Sequence, residues 1–219
     1  MAKLKLTARV GVYSVGLFIL AFGVALSIHA NLGISPVSSW PITVHMASGI
    51  GEGLSKTLFL ILCIIIQIVI LRKDFRWIGL TQILFSFLFG FFLDVAIWII
   101  GDFALHSYFE QLIMFGISTL LIGIGLAVYL EAKLISLPAE GIIDALLQKY
   151  PQLTFQKVKV TLDCILVMLA IATTLIFMGG LYGVREGTIM LALMVGRIVP
   201  PIRSVVKKIL NSAALFENG

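Results

Sequence analysis

Charged residues are scarce in this sequence. Asp, Glu, Lys and Arg make up 12% of the 219 residues, whereas hydrophobic residues make up 60%. Soluble domains carry about twice that share of charge, so the composition excludes an ordinary soluble domain. A mean hydropathy of +1.10 points the same way. The chain is therefore predicted to be an integral membrane protein, with the lipid bilayer as its first partner.

Cysteine is almost absent as well. Cys63 and Cys164 are the two cysteines, and each lies in an apolar run with no Cys or His near it in sequence. This spacing suits neither a disulfide framework nor a thiolate metal site. We expect both residues to pack among apolar neighbours, and we expect no metal and no cofactor.

Recognisable catalytic motifs are missing too. The sequence contains no HExxH and no GxSxG, its three histidines are scattered, and no base is spaced to activate Ser48. We therefore expect that the protein is not an enzyme. The net charge of +5 would suggest nucleic acid in a soluble chain. Here the placement of the charges explains it better, so no nucleic-acid partner is expected.

Long apolar runs dominate what is present. A hydrocarbon core about 30 Å thick requires roughly 20 apolar residues per helix. Runs of about this length predict six spans, the first of them uncleaved and not a signal peptide. They are Val10–His29, Leu54–Leu71, Trp77–Ile100, Gln111–Leu130, Val158–Met178 and Gly187–Ile202.

The basic residues between the spans predict the orientation. With the N-terminus inside, nearly all of them fall on the cytoplasmic side, and only Lys56 and Arg185 fall outside. By the positive-inside rule both termini are predicted to be cytoplasmic. The cytoplasmic set comprises Lys3, Lys5, Arg9, Arg72, Lys73, Arg76, Lys133, Lys149, Lys157, Lys159, Arg203, Lys207 and Lys208.

One segment of the sequence occurs twice. Residues 30–36 read ANLGISP and residues 132–138 read AKLISLP, and an apolar helix with spaced glycines precedes each copy. Gly16 and Gly23 have counterparts in Gly116 and Gly123 at the same spacing. This predicts a single membrane domain, 1–219, with repeat one at about 10–100 and repeat two at about 111–203.

The repeat and the spans together predict the fold class. Each repeat holds three spans, an odd number, so the second must be inverted relative to the first. We expect an all-α membrane protein with six transmembrane helices in two inverted three-span repeats, each with a short helix after its first span. Folds of this kind place their working site near the repeat interface.

Two short segments, which begin at Pro36 and Pro138, are predicted to be those short helices. Proline suits the first helical position, Ser35 is a candidate N-cap, and Glu140 complements the N-terminal dipole. If the segments dip into the membrane, their N-termini offer backbone donors to a solute. Alternatively they lie on the surface as amphipathic helices. The sequence leaves both interpretations open.

Ionisable residues inside the spans are the strongest candidates for a site, because charge is costly in lipid. Asp163 and Arg197 are predicted at the same depth and are expected to pair, either as a solute contact or as a structural lock. Asp94 has His29 or Lys56 as candidate partners. The candidate substrate- or ion-binding residues are Asp94, Asp163, Arg197, Ser35, Ser38, Glu140, Asp144 and His29.

Small and amide residues in the spans suggest helix packing. The glycines are expected to allow close helix approach, and Gln67 and Gln82 are expected to bond between helices. The glycines in question are Gly16, Gly23, Gly116, Gly123, Gly125 and Gly196.

The repeated unit resembles the YczE/YyaS/YitT group of bacterial integral membrane proteins. In that group Trp-Asp usually follows the first Pro, the second copy carries Pro-x-Asp-Gly, and the third and sixth spans tend to begin Gly-x-Gly-Thr. Pro36 matches, with Val37 and Ser38 in place of Trp-Asp, and Pro138-Ala-Glu140-Gly fits the second motif with glutamate for aspartate. The resemblance implies a bacterial plasma-membrane protein related to transport.

Two functions are compatible with these patterns. The first is a small secondary transporter or channel-like carrier for a small polar or charged solute, favoured by the inverted repeat, the short helices and the buried charges. The alternative is a non-transporting subunit, either a substrate-binding component or a scaffold of a larger membrane complex. A homo-oligomer is compatible with both, and the sequence leaves the solute's identity open.

Overall fold

The computed structural model describes residues 5–101, 105 and 107–216, and the last four of these by their backbone alone. Within these ranges the regular structure is entirely helical. Lys3, one of the residues used to predict the orientation, lies outside them. The α-helices are α1 (Leu6–Ala30), α2 (Pro36–Ser48), α3 (Glu52–Leu71), α4 (Gln82–Ile100), α5 (Tyr108–Glu131), α6 (Pro138–Lys149), α7 (Phe155–Met178) and α8 (Glu186–Phe216).

Six long helices, α1, α3, α4, α5, α7 and α8, are long and apolar enough to cross a membrane. They confirm the six predicted spans. The largest difference is at the end of α8, which was expected to leave the membrane at Ile202. The helix instead continues through Pro200 and Pro201 to Phe216. Beyond the prolines, Arg203 pairs with Glu131 at the end of α5, 3.0 Å away, and this contact holds the extension against the bundle.

Helices α1 and α5 pack antiparallel at the centre of the protein. A Cβ atom at Gly16 would come within 2.4 Å of the Tyr129 nitrogen, and one at Gly125 within 2.3 Å of the Leu20 nitrogen. Only residues without a Cβ permit backbones to approach this closely, so the expected role of these two glycines is confirmed. Gly116 is different: it is exposed, and no described atom of another segment lies within 4 Å of its Cβ position.

The two short helices lie inside the bundle. Helix α2 packs on α7, and α6 packs on α3. Helix α2 continues through Pro41, whose carbonyl oxygen accepts a hydrogen bond from the Ser55 hydroxyl of α3 at 2.5 Å. The first turns of both helices are largely buried. The start of each short helix is therefore packed against other helices and is not solvent-exposed.

Helices α1 and α5 end in the same way. Asn31 follows α1 and Lys133 lies just beyond α5, and both adopt the left-handed conformation, with φ of 53° and 52°. An arginine from a distant segment donates to each end: Arg185 to the Asn31 carbonyl at 2.7 Å, and Arg9 to the Ala132 carbonyl at 2.9 Å. The chain then runs without regular structure to the proline that begins the next short helix.

The two ends of the bundle differ in how tightly they close. At the α8 start, the Gly187 amide donates to the Leu32 carbonyl at 2.8 Å. Gly33 has a φ of +123°, and a Cβ there would lie 2.4 Å from the Thr188 hydroxyl oxygen, so no room remains. At the opposite end, a cleft of about 320 Å³ separates Gly79, before α4, from Leu134. We call this space the α4–α6 cleft.

Candidate functional site

A central cavity of about 120 Å³ lies between the long helices. Leucines and other apolar residues of α1, α4, α5 and α8 form most of its wall, and the first turns of α2 and α6 close it together with α7. The apolar residues include Leu20, Val24, Phe89, Leu93, Ile122, Leu126, Leu191 and Val195, and the polar ones are Ser35, Ser38, Glu140, Lys159 and Asp163. The volume is suited to a small solute or a few water molecules.

One buried cation with two carboxylates forms the charged part of the wall. The Lys159 ammonium donates to the Asp163 carboxylate at 3.0 Å and to the Glu140 carboxylate at 3.4 Å. Only 3% of Lys159, 1% of Asp163 and 6% of Glu140 is exposed. We call these three residues the charged cluster. Because buried ion pairs recover their desolvation cost only in part, the cluster is a candidate for function as well as for structure.

Lys159 is a site residue that the sequence analysis missed. It was counted among the cytoplasmic flanking charges, because span five was expected to begin at Val158. Helix α7 begins earlier, at Phe155, where the Thr154 hydroxyl accepts a hydrogen bond from the Lys157 amide. Lys159 is therefore already one turn inside the helix. Its spacing of four residues from Asp163 places both side chains on one face, a signal that was available in the sequence.

The predicted pair between Asp163 and Arg197 is wrong. Asp163 bonds to Lys159, and Arg197 is exposed. On α8 the residues that face the cavity are Leu191 and Val195. Arg197 follows Val195 by two positions, which is a rotation of about 200° around the helix axis, so it faces outward. The pair fails because Arg197 lies on the outward face of α8.

Asp94 does not belong to the site either. It is exposed on α4, and its neighbour Leu93 is the residue that faces the cavity. Neither expected partner contacts it. A ring nitrogen of His29 lies 3.0 Å from the Gly101 carbonyl oxygen, and Lys56 pairs with Glu52 at 2.6 Å. His29 lies near the end of α1, outside the cavity wall.

Asp144 lies in the α4–α6 cleft and not in the central cavity. Its carboxylate accepts a hydrogen bond from the Ser136 hydroxyl. Of the eight predicted site residues, the central cavity therefore brings together Ser35, Ser38, Glu140 and Asp163.

The first turns of α2 and α6 supply backbone donors to the cavity. Both helices begin with a proline, and Ser35 occupies the predicted N-cap position of α2, but neither Ser35 nor Leu137 caps its helix with a side-chain hydrogen bond. The first turn of a helix carries a partial positive charge and leaves its first N–H groups without an intrahelical acceptor, although the Ser38 and Gly141 amides already donate to the Ser35 and Leu137 carbonyls. Two such ends at one cavity favour a ligand with hydrogen-bond acceptors or negative charge.

A metal centre has no support in this arrangement. Within the described residues, no three His, Cys, Asp or Glu side chains are close enough together to hold an ion. Cys63 is buried and unpaired in α3, and Cys164 is partly buried in α7. The chemistry that the cavity offers is hydrogen bonding and ion pairing, from the charged cluster, two hydroxyls and the two helix ends.

Comparison with known proteins assigns the chain to a protein family. A family of unknown function (DUF6198) matches residues 7–204, nearly the whole sequence. The chain belongs to this family. It is 30% identical over 129 residues to "Uncharacterized protein YyaS" of Bacillus subtilis (strain 168), an alignment that spans 58% of this chain and 63% of the relative.

A second relative of this chain is "Uncharacterized membrane protein YczE" of the same organism. The two are 30% identical over 148 residues, which is 67% of this chain and 66% of the relative. The chain thus aligns with slightly less than two thirds of each relative. The predicted resemblance to the YczE and YyaS proteins is confirmed. The prediction that the chain is a multi-pass membrane protein is also confirmed. No solved structure matches the chain.

Proposed function

We propose that this DUF6198 protein is a small secondary carrier whose central cavity binds a small polar or charged solute. The observation that carries the proposal is the convergence of the two short-helix N-termini and the buried charged cluster on one cavity. In carriers built from inverted repeats, broken or short helices present their ends to the solute at the repeat interface. Ser35, Ser38, Glu140, Lys159 and Asp163 are the proposed site residues.

The wall of the cavity supports two inverted repeats. Eight of its apolar residues form four pairs, and the two members of every pair are the same number of residues apart in sequence, about one hundred. These pairs are Leu20 and Ile122, Val24 and Leu126, Phe89 and Leu191, and Leu93 and Val195. Ser38 and Glu140 have the same separation. Two halves related by a pseudo-two-fold axis would produce this arrangement, because each would contribute equivalent positions.

The central glycines support the same relation, with a shifted register. A Cβ at Gly23 would lie 2.7 Å from the Ile122 nitrogen, and one at Gly125 would lie 2.3 Å from the Leu20 nitrogen. These two contacts are equivalent under the residue separation found in the cavity wall, because Gly23 then corresponds to Gly125 and Leu20 corresponds to Ile122. In this register Gly23 corresponds to Gly125, two positions beyond the Gly123 that the sequence comparison favoured.

The unequal closure of the two ends supports transport by alternating access. At one end, Leu32 and Gly33 are in close contact with the start of α8. At the other end, the corresponding residues of the second repeat, Leu134 and Ile135, line the open α4–α6 cleft. A carrier that alternates between an inward-open and an outward-open state is expected to be closed at one end and open at the other in either state. With both termini in the cytoplasm of a bacterium, as the basic residues favour, the cleft faces inward.

Binding and flux should be measured in that order. The purified protein would be screened by thermal unfolding against pooled metabolites, where a ligand at a hundred times its Kd adds about 2.7 kcal/mol of stability. Each hit is then tested for uptake into proteoliposomes. Asp163→Asn is expected to abolish both signals. Asp94→Asn and Arg197→Gln, which change exposed residues outside the cavity, are matched controls and are expected to retain them.

The outcomes separate the proposed functions. A solute that binds in the cavity and crosses the membrane supports the carrier. Binding without flux of the purified protein would favour a substrate-binding subunit of a larger complex. If neither is found across a broad panel with folded protein, a scaffold becomes the better explanation of the charged cluster.

A further inference from the structure

The charged cluster contains one more carboxylate than it has cations. Glu140 and Asp163 share Lys159, whose ammonium group is the only cation that contacts either carboxylate in the described part of the chain. With all three groups ionised, the cluster would carry one net negative charge. All three side chains are almost completely buried, at 8% exposure or less.

Within the described residues, Lys159 is the one cation that forms an ion pair with Glu140. Outside the cluster, Glu140 acts electrostatically on the Tyr13 and Tyr129 hydroxyls, the Cys63 thiol and the Asp144 carboxylate. The first three are neutral at physiological pH and the fourth is acidic. Arg203, the cation that acts on Asp144, pairs with Glu131 and lies outside the central cavity.

The helix ends compensate for the deficit only in part, because each contributes a partial charge spread over the N–H groups of its first turn and does not form an ion pair. Glu140 lies in the first turn of α6, where the dipole is equivalent to about half a positive charge and acts only near the end. Two carboxylates at one buried site with a single cation therefore remain under-compensated, and such sites bind a proton readily. A metal cation would need several oxygen ligands, whereas the first turns of α2 and α6 present N–H donors to the cavity.

We propose that the charged cluster is a protonation site whose two carboxylates share one proton in the resting state. Asp163 holds Lys159 at 3.0 Å from the same helix, a turn away, whereas Glu140 is 3.4 Å from the ammonium and belongs to α6. The ammonium therefore lies between two carboxylates on different helices and can balance only one of them. That this proton is the coupling ion rests on the proposed carrier function, but the protonation itself does not.

Infrared difference spectroscopy of the reconstituted protein tests this directly. A protonated carboxyl group has a C=O stretching band that is separate from the carboxylate bands and shifts in D₂O. The wild type is titrated from alkaline to neutral pH in potassium, sodium and choline salts at equal ionic strength. Asp144→Asn, which changes the next carboxylate along α6 and leaves the charged cluster intact, is the matched control.

The number of protonated carboxyls is expected to follow the charge balance. The wild type and Asp144→Asn should each show one buried band at neutral pH. Glu140→Gln and Asp163→Asn should both lack it, because one carboxylate and one lysine then balance. Lys159→Met should show a larger band, because both carboxylates then bind protons.

Three results would overturn the proposal. One is a wild type without such a band at any pH at which it is folded, a result that needs no variant. Another is a band that persists unchanged in Glu140→Gln. The third is a band that sodium removes while choline does not, which would assign the site to a metal cation. Solute flux without the infrared band would support the proposed carrier function and reject the protonation site. The band without solute flux would support the protonation site and reject the carrier function.

Discussion

Gly125 of α5 lies against the backbone of Leu20 of α1, where a Cβ atom would come within 2.3 Å of the Leu20 nitrogen. The substitution Gly125→Ala is therefore expected to push the central helices apart, at a cost of about 1–3 kcal/mol. Gly116→Ala, on the exposed side of the same helix, should instead be neutral or stabilising by up to about 1 kcal/mol, because alanine favours helix. Thermal unfolding in one detergent compares the two. Equal stability would show that α1 and α5 are not packed this closely.

Lys159 and Lys157 lie on the same helix in opposite environments, one buried and the other exposed. Lys159→Met leaves two carboxylates without their cation and is expected to destabilise the protein by about 3–5 kcal/mol near neutral pH. The deficit should narrow as the pH falls, because the buried carboxylates bind protons in the folded variant at neutral pH and the unfolded chain binds them only at lower pH. Lys157→Met should change stability little at any pH. Unfolding measured across pH provides the comparison, and a pH-independent deficit would contradict it.

Leu32 and Leu134 occupy equivalent places in the two copies of the repeated segment. Leu32 is completely buried, whereas Leu134 lines the α4–α6 cleft. In a background with Cys63 and Cys164 replaced by alanine, Leu134→Cys is expected to react with a membrane-impermeant maleimide, and Leu32→Cys is not. The label should reach Leu134→Cys in inside-out vesicles and not in right-side-out ones. Equal reactivity of the two cysteines would argue against unequal closure.

Gln67 and Gln82 join α3 to α4 through two reciprocal amide hydrogen bonds, of 3.0 and 2.8 Å. Gln67 also donates to the Pro138 carbonyl at 3.1 Å, so the pair supports the first turn of α6. A double-mutant cycle with Gln67→Met and Gln82→Met is expected to give a coupling energy of about 0.6 kcal/mol, with about 1.7 as the upper range. Gln67→Met should be the costlier single change, because the Pro138 contact is lost as well. Strict additivity would show that the bonds contribute nothing.

The spans and the short helices could be predicted because they depend on local chemistry. Apolar length defines a span, and proline at the first helical position predicts the starts of α2 and α6. The faces of the long helices could not be predicted. Asp163 and Arg197 were placed at similar depths, but a helix that is apolar on all sides carries no signal for which side faces the core. Packing alone turns Asp163 inward and Arg197 outward.

The charged cluster shows a second limit. Lys159 was assigned to a loop because a lysine next to a basic cytoplasmic segment normally ends a span. Its role depends on Glu140, a residue nineteen positions earlier on a different helix, and one sequence gives no means of finding that contact. The i, i+4 spacing with Asp163 was the part that could be found. That spacing links two of the three residues of the cluster.

The central position of the α1–α5 pair determines the order in which the helices can pack together during synthesis. Helix α1 packs more extensively on α5 than on any other helix, and its core cluster also includes Leu191, Val195 and Val199 of α8. A ribosome makes α1 first and α8 last. The buried face of α1 therefore enters the bilayer while its partners have not yet been synthesised, and lipid or an insertion factor must cover that face in the meantime. Assembly of the core is thus largely deferred until the second half of the chain has been inserted.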